Sequence, residues 1–289
     1  MQLKIAIASG KGGTGKTTVS VNLYHFIHKY WTDKVQLMDC DVEEPNDLIF
    51  FQGAKENSRK DVNQLVPKID NSKCTYCRDC VEYCEFNAIV VIPPVKFAEV
   101  NASLCHSCGA CLHACKHDAM PEFDHKIGEI SEYNLGKGLG LTQGELEIGS
   151  SMQTMLIADV KKEYKSSAEI ILMDAPPGTS CPVVTTAADA DFVLLVTEPT
   201  PFGMHDLKLT IELMQEIKKP FAVIINKDGI GNNEMEEYLD AEDIEIIGRI
   251  PFSKEYAADY AIGNILNNIG EIEEGFYKEL VLKLKEKLN

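Results

Sequence analysis

Residues Gly10 to Thr18 read GKGGTGKTT, directly after the apolar run Leu3 to Ala8 and directly before a segment with helical spacing. Gly10, Gly15, Lys16 and Thr17 stand at the offsets of a phosphate-binding P-loop. Glycines let the backbone curl until successive N–H groups converge on phosphate oxygens, and the helix that follows adds its dipole. Such a loop works only between a strand and a helix, so it constrains the fold before anything else is read. Gly10, Lys11, Gly12, Gly13, Thr14, Gly15, Lys16, Thr17 and Thr18 are therefore candidate contacts of ATP. Lys16 is expected on the β- and γ-phosphates, as a catalytic residue, and Thr17 on Mg2+.

The rest of the chain keeps the rhythm that the loop demands. Strands are expected at Leu3–Ser9, Val35–Met38, Glu169–Asp174, Asp191–Thr197, Phe221–Asn226 and Glu245–Ile250. Helices are expected at Lys16–Tyr30, Ser151–Lys165, Gly203–Lys218 and Asn233–Asp240. Strands alternating with helices give an α/β fold, a mostly parallel sheet with helices on both faces. Residues 52–66 are polar and carry no clear period. Between Val66 and Lys126 the texture changes to closely spaced cysteines with prolines at 67, 93, 94 and 121. Ile127 to Gly149, with glycines at 128, 136, 138, 140, 144 and 149, reads as a flexible return. The expected organisation is a P-loop domain in two parts, 1–65 and 127–289, interrupted by a small α+β iron-sulfur domain, 66–126.

Eight of the ten cysteines fall between Cys74 and Cys115. Cys74, Cys77, Cys80 and Cys84 follow C-x2-C-x2-C-x3-C, and Cys105, Cys108, Cys111 and Cys115 repeat it. In this spacing three thiolates surround one cubane and the fourth goes to its neighbour. One 4Fe-4S cluster is thus assigned to Cys74, Cys77, Cys80 and Cys115, and a second to Cys84, Cys105, Cys108 and Cys111. Paired C-x2-C motifs also bind zinc, but the third and fourth cysteines at these offsets fit a zinc ribbon poorly. Two neighbouring clusters imply electron transfer.

A formal charge of −17 and a pI near 4.8 argue against a large nucleic-acid footprint, which needs clustered Lys and Arg. No run of eighteen apolar residues is present, and the first strand starts too early to leave room for a signal peptide. A cytoplasmic protein is expected, where thiols stay reduced and serve as ligands or core groups.

Lys11 makes the loop more particular. GKGGTGKT resembles the deviant Walker A motif of the MinD/ParA/Mrp superfamily, a group that also holds the nitrogenase iron protein. The resemblance implies an ATP-dependent homodimer in which Lys11, a catalytic residue, reaches the partner's phosphates. Asp174, ending an apolar strand before Pro-Pro-Gly, has the place of a Walker B aspartate on Mg2+, and Gly178 that of the switch II glycine. Asp39 and Asp41 resemble the superfamily's switch I pair, with Asp41 orienting the attacking water and Asp39 supporting Mg2+ less directly. Asn226 resembles the base-recognising asparagine, and the loop of Arg249, Ile250, Pro251 and Phe252 the segment that flanks adenine.

The cysteine region resembles a bacterial two-cluster ferredoxin, with Glu85 and Lys116 where proline usually follows the fourth cysteine. Cys181 lies at the offset of the nitrogenase iron protein's bridging-cluster ligand, but no counterpart of the other ligand is clear. Small buried thiols are expected at Cys40 and Cys181. Phe276, Leu280, Leu284 and Leu288 form a stripe like the membrane-binding terminal helix of MinD proteins, although packing on the sheet explains it equally. The leading expectation is ATP-gated electron delivery to a redox or metal-cofactor client protein, because a stable set of eight cysteines suits electron transfer, whereas a cluster carrier should expose labile ligands. The alternatives are an iron-sulfur or metal-cofactor assembly or carrier protein, and a MinD-like ATP switch with redox-sensing clusters. Amidation of a corrinoid precursor, a label given to relatives, is disfavoured because no glutaminase domain or catalytic Cys-His pair is evident.

Overall fold

The computed structural model describes residues 2–288. The apolar run Leu3–Ala8 is strand β1, and the glycine turn after it opens helix α1, Lys16–Tyr30. Then come β2, Val35–Asp39; β3, Lys55–Pro67; α2, Asp79–Glu82; β4, Ile89–Ile92; β5, Phe97–Val100; and α3, Ala110–Ala114. The middle of the chain supplies β6, Glu122–Asn134; β7, Leu141–Leu146; α4, Gln153–Val160; β8, Ile170–Asp174; α5, Cys181–Ala187; and β9, Phe192–Thr197. It finishes with α6, Pro201–Glu216; β10, Phe221–Asp228; α7, Glu234–Ala241; β11, Ile246–Pro251; α8, Lys254–Ala261; and α9, Glu271–Leu288.

These elements form two compact units. The first holds the residues up to Arg59, Ile130–Glu145 and those from Ile157 onward; the second holds Lys60–Glu129 and Leu146–Leu156. The joints differ from those expected near 66 and 126 because β3 and β6 are continuous strands that run through both positions.

In the first unit the strand order is β11-β10-β9-β1-β8-β2-β7-β6, and every pair from β11 to β7 is parallel. Ile5, Ile7, Leu172, Leu194 and Ile224 join the side chains of α1 and α9 in one core. Their alternates Ala6, Ile171, Met173, Val193 and Val223 are buried as well, so both faces of the sheet are covered. The C-terminal stripe belongs to this core: Tyr277, Leu280, Val281 and Leu284 are buried, and Tyr277 stacks on Phe26 with ring centroids 5.4 Å apart. Among the described residues no helix is long and apolar enough to cross a membrane.

Two expectations are corrected here. The segment from Ile127 to Gly149 is not a flexible return but the strands β6 and β7, the latter paired with β2. Its glycines concentrate in the turn between those strands. At Gly138, φ is +60° and an added Cβ would lie 2.5 Å from the Tyr24 hydroxyl, so the glycine serves a close approach. The helix expected over 151–165 is shorter, ending at Val160 in a single 3-10 turn, Lys161–Glu163.

In the second unit β4 and β5 form an antiparallel hairpin. Ile89 and Val91 on its inner face pack with Ile69, Cys111 and Met120, and Val66, Ala88 and Cys105 make a second small cluster.

Candidate functional site

The P-loop lies in the turn between β1 and α1. Gly13 and Gly15 hold φ of +79° and +96°, the left-handed region that favours glycine. Gly15 is also forced by space, because a Cβ there would sit 2.1 Å from the Asn226 amide nitrogen. Parallel pairing of β1, β8 and β2 puts Asp174 beside Ile7 on one flank and Asp39 on the other. The acids at the strand ends thus meet the loop without any contribution from the loop's own sequence.

Lys16 is only 6% exposed, with Nζ 2.9 Å from Asp174 Oδ1 and 3.8 Å from Asp41 Oδ2. Burial opposes its charge, but Asp174 and then Asp41 outweigh that and hold the ammonium above its ordinary pKa. Asp39 is fully buried and braces the following turn: Oδ1 accepts from Asp41 N at 3.0 Å, and Oδ2 from Asn46 N at 2.9 Å and Asp47 N at 3.1 Å. Burial, then Asp174, raise its pKa to about 8 despite those donors and Lys16. Asp41 is raised to about 6, by burial first and against the pull of Lys16. Asp47 joins the group from the turn after β2, and its pKa is raised by burial, then by Asp39 and Asp174. Asp41, Asn46 and Pro177 line one cleft with the P-loop residues Lys11 to Thr17. Gly178 N donates to Ser9 O at 2.9 Å, fastening the turn after Asp174 to the end of the first strand.

Lys11 is 29% exposed and its Nζ lies 2.7 Å from Glu198 Oε1. The other Glu198 oxygen takes Lys227 Nζ at 2.7 Å, and Lys227 also donates to Gly13 O at 3.0 Å. Asn226 donates to Thr14 O at 2.6 Å, so its amide fastens β10 to the P-loop. A second cleft, lined by Gly15, Asn226, Pro251, Phe252, Tyr256 and Tyr260, continues from that point and offers aromatic faces to a flat ligand.

The second unit holds two cavities. One is lined by Cys74, Cys77, Cys80 and Cys115, the other by Cys84, Cys105, Cys108 and Cys111. The fourth cysteine of each run therefore crosses to the other run's cavity. The backbone repeats itself too: Tyr76, Arg78 and Asn87 have positive φ, as do Ser107, Gly109 and Asp118 at the same offsets from the first cysteine of each run. Ala88 N donates to Cys84 Sγ at 3.3 Å and Ser107 N to Cys105 Sγ at 3.5 Å. Burial, then neighbouring thiols, push the pKa of Cys80 up; Cys111 is pushed to about 11 by burial, then by Cys105. All ten cysteines are free thiols. Among the described residues no three of His, Cys, Asp or Glu converge closely enough to hold a single metal ion.

The sequence profile of the CobQ/CobB/MinD/ParA nucleotide binding domain matches residues 5–265. The chain belongs to this family of P-loop ATPases. It is 32% identical over 290 residues to the uncharacterized protein MJ0578 of Methanocaldococcus jannaschii, covering 98% of this chain and 97% of that one. An iron-sulfur cluster carrier protein of Pyrococcus abyssi is 23% identical over 308 residues, covering 98% and 87%. The septum site-determining protein MinD complexed with Mg-ADP, from Pyrococcus horikoshii OT3, superposes with a TM-score of 0.58 at 18% identity, over 99% of this chain and 97% of that one. That last likeness is one of fold.

In this MinD/ParA-family ATPase the expected P-loop residues and Asp39, Asp41 and Asp174 lie together, with Asn226 and Pro251 in the adjoining cleft. Cys181 corrects an expectation. Cys40 is buried, but Cys181 is exposed at the first position of α5, because the Pro-Pro-Gly turn carries it out of the sheet before the helix begins. Asp47, Glu198, Lys227, Tyr256 and Tyr260 went unpredicted. The two tyrosines, four apart just after Pro251, were open to notice; the others gain their place only through pairing of distant strands.

Proposed function

We propose that this MinD/ParA-family ATPase binds Mg2+-ATP at Gly10 to Thr18, closes as a homodimer, and uses hydrolysis to control electron delivery. The electrons would pass through two 4Fe-4S clusters in an inserted ferredoxin-like domain to a redox or metal-cofactor client. The observation that carries this reading is the crossing of Cys115 and Cys84 between the two cavities, the arrangement of two-cluster ferredoxins. The C-x2-C-x2-C-x3-C spacing, repeated, suits a cubane better than a single zinc ion. The clusters would supply one-electron chemistry. The chain's part is to hold them: half-buried Cys74, Cys80, Cys84 and Cys115 and buried Cys105 and Cys111 keep solvent off, while Cys77 and Cys108 remain exposed.

At the nucleotide, Thr17 and Asp174 would hold Mg2+, with Asp39 in support. The buried Thr14 hydroxyl and the Asp47 carboxyl, which take no N–H or hydroxyl donor, support a polar ligand at this end. Bound Mg2+ would neutralise charge on the β- and γ-phosphates. Lys16 is already placed on the acids and would turn to the phosphates. Asp41, held near the cleft mouth, would orient the attacking water, since phosphoryl transfer rests on geometry and charge more than on a strong base. Lys11, paired with Glu198 in the single chain, would exchange that carboxylate for the phosphates across the dimer.

The likeness to iron-sulfur cluster carrier proteins favours a second reading, in which the clusters themselves are handed on. Anaerobic purification with counting of iron and sulfide tests the shared premise: cubane-like content supports it, and zinc without sulfide overturns it. Loss of iron to an apo-acceptor then selects the carrier. Retained iron with ATP-dependent reduction of an acceptor selects electron delivery.

A further inference from the structure

Asp47 is fully buried, and neither of its carboxyl oxygens receives an N–H or hydroxyl donor; the carboxyl beside it is that of Asp174, another acid, close enough for the two to share a proton. Its neighbours have spent their capacity differently. Asp39 has both oxygens taken by the backbone N–H groups of Asp41, Asn46 and Asp47 itself. One oxygen of Asp174 is taken by Lys16. Among the described residues Asp47 is thus a fully buried carboxyl of this group that takes no N–H or hydroxyl donor, and its main chain is fixed by the bond from its own N–H to Asp39. A carboxyl buried without donors is costly and is retained where something else supplies them.

The geometry points to Asp47 as a positioning residue of the divalent-cation site, its carboxyl accepting hydrogen bonds from water bound to the Mg2+ that Thr17 and Asp174 would hold. Mg2+ suits this role because it gives up water reluctantly and is commonly held through one or two carboxylates plus its own hydration shell. Carboxylates beyond the direct ligands orient that shell and tune affinity. The sequence gives Asp47 no motif; the turn of Asn46 and Asp47 around Asp39 brings it there. This inference rests on the nucleotide-site reading of the P-loop.

The test uses the full chain, Mn2+ as the probe and ADP as the nucleotide, with free Mn2+ read by electron paramagnetic resonance. Asp47→Asn and Asp47→Ser are compared with the unaltered protein and with Asp174→Asn, and ADP affinity in EDTA is measured for each. We expect both Asp47 variants to weaken Mn2+ binding in the ADP complex by at least about tenfold while metal-free ADP affinity holds. Mn2+ affinity within about twofold of the unaltered protein in either variant overturns the assignment. So does loss of metal-free ADP affinity in both, which would make Asp47 purely structural. If the unaltered protein and Asp174→Asn bind Mn2+ alike, the nucleotide-site reading itself fails, a different result from unchanged binding in the Asp47 variants alone.

Discussion

At the phosphate end of the nucleotide site, Lys16 and Asp174 are buried together although 158 residues separate them, and Asp39 and Asp47 crowd in from a third strand end. Each cysteine cavity takes three thiols from one short run and a fourth from the other run, and its walls repeat the same left-handed turns. The first site is assembled by the sheet and is charged and internally bonded before any ligand arrives. The second is local: its thiols come from two short runs, with Cys84 accepting a bond from Ala88 N and Cys105 one from Ser107 N. One site depends on the fold around it. The other would depend on what it binds, as metal-organised domains do.

The comparison breaks most sharply if the two sites fail together. Lys16→Ala removes the cation that balances Asp174 and Asp41, and ATP hydrolysis is expected to fall by at least ~10²-fold, by analogy with loss of a charge-stabilising donor. Iron content should stay unchanged, as elemental analysis would show. Conversely, changing all eight cavity cysteines to Ser should remove all cluster iron and destabilise the second unit. ADP affinity, followed by calorimetry, should survive, because no cysteine of that set lines either nucleotide cleft.

A finer cut lies within the second unit. Cys115→Ser should cost the cavity of Cys74, Cys77 and Cys80 its cluster, and Cys84→Ser the other, each lowering iron by about half with a different residual electron-spin spectrum. If Cys115→Ser instead disturbed the cavity holding Cys105, Cys108 and Cys111, the crossing would have no chemical meaning.

Smaller effects test the fold of the first unit. Leu284→Ala, which empties a fully buried position of α9, should cost about 2–5 kcal/mol in denaturant unfolding of that unit. The smallest concerns His25, whose pKa burial and then Lys137 and Lys29 lower from 6.5 to about 4. Its neutral ring lies 2.5 Å from Lys137 Nζ. A depressed folded-state pKa gives stability that is present above 6.5 and lost as pH falls toward about 4. His25→Gln should flatten the unfolding midpoint of the first unit across that window.

How far the sequence reaches follows from how local each feature is. The P-loop is contiguous, and glycines with φ above zero announce themselves. The cysteine spacing is legible for the same reason. Asp174 could be placed because it ends an apolar strand, a position where parallel sheets present ligand groups. Asp47 could not: it follows the polar stretch Glu43 to Asn46, and it is the bond from its own N–H to Asp39 that fixes it inside. Glu198 and Lys227 likewise meet Lys11 through strand order. β6 and β7 are hidden by the glycines between them, which read as flexibility although Gly138 serves a close approach to Tyr24. Cys181 was misread because residue type predicts burial only on average, and the turn before it decides otherwise.

The coupling of the two sites is the central claim, and a redox titration of the anaerobically purified full chain, followed by electron paramagnetic resonance with and without Mg2+-ATP, tests it most directly. Two cluster signals are expected in the reduced protein, with a midpoint potential that moves when Mg2+-ATP is added and returns after hydrolysis. Two signals whose titration curves superimpose under both conditions would contradict the account, leaving an ATPase and an iron-sulfur unit that share a chain without sharing a function.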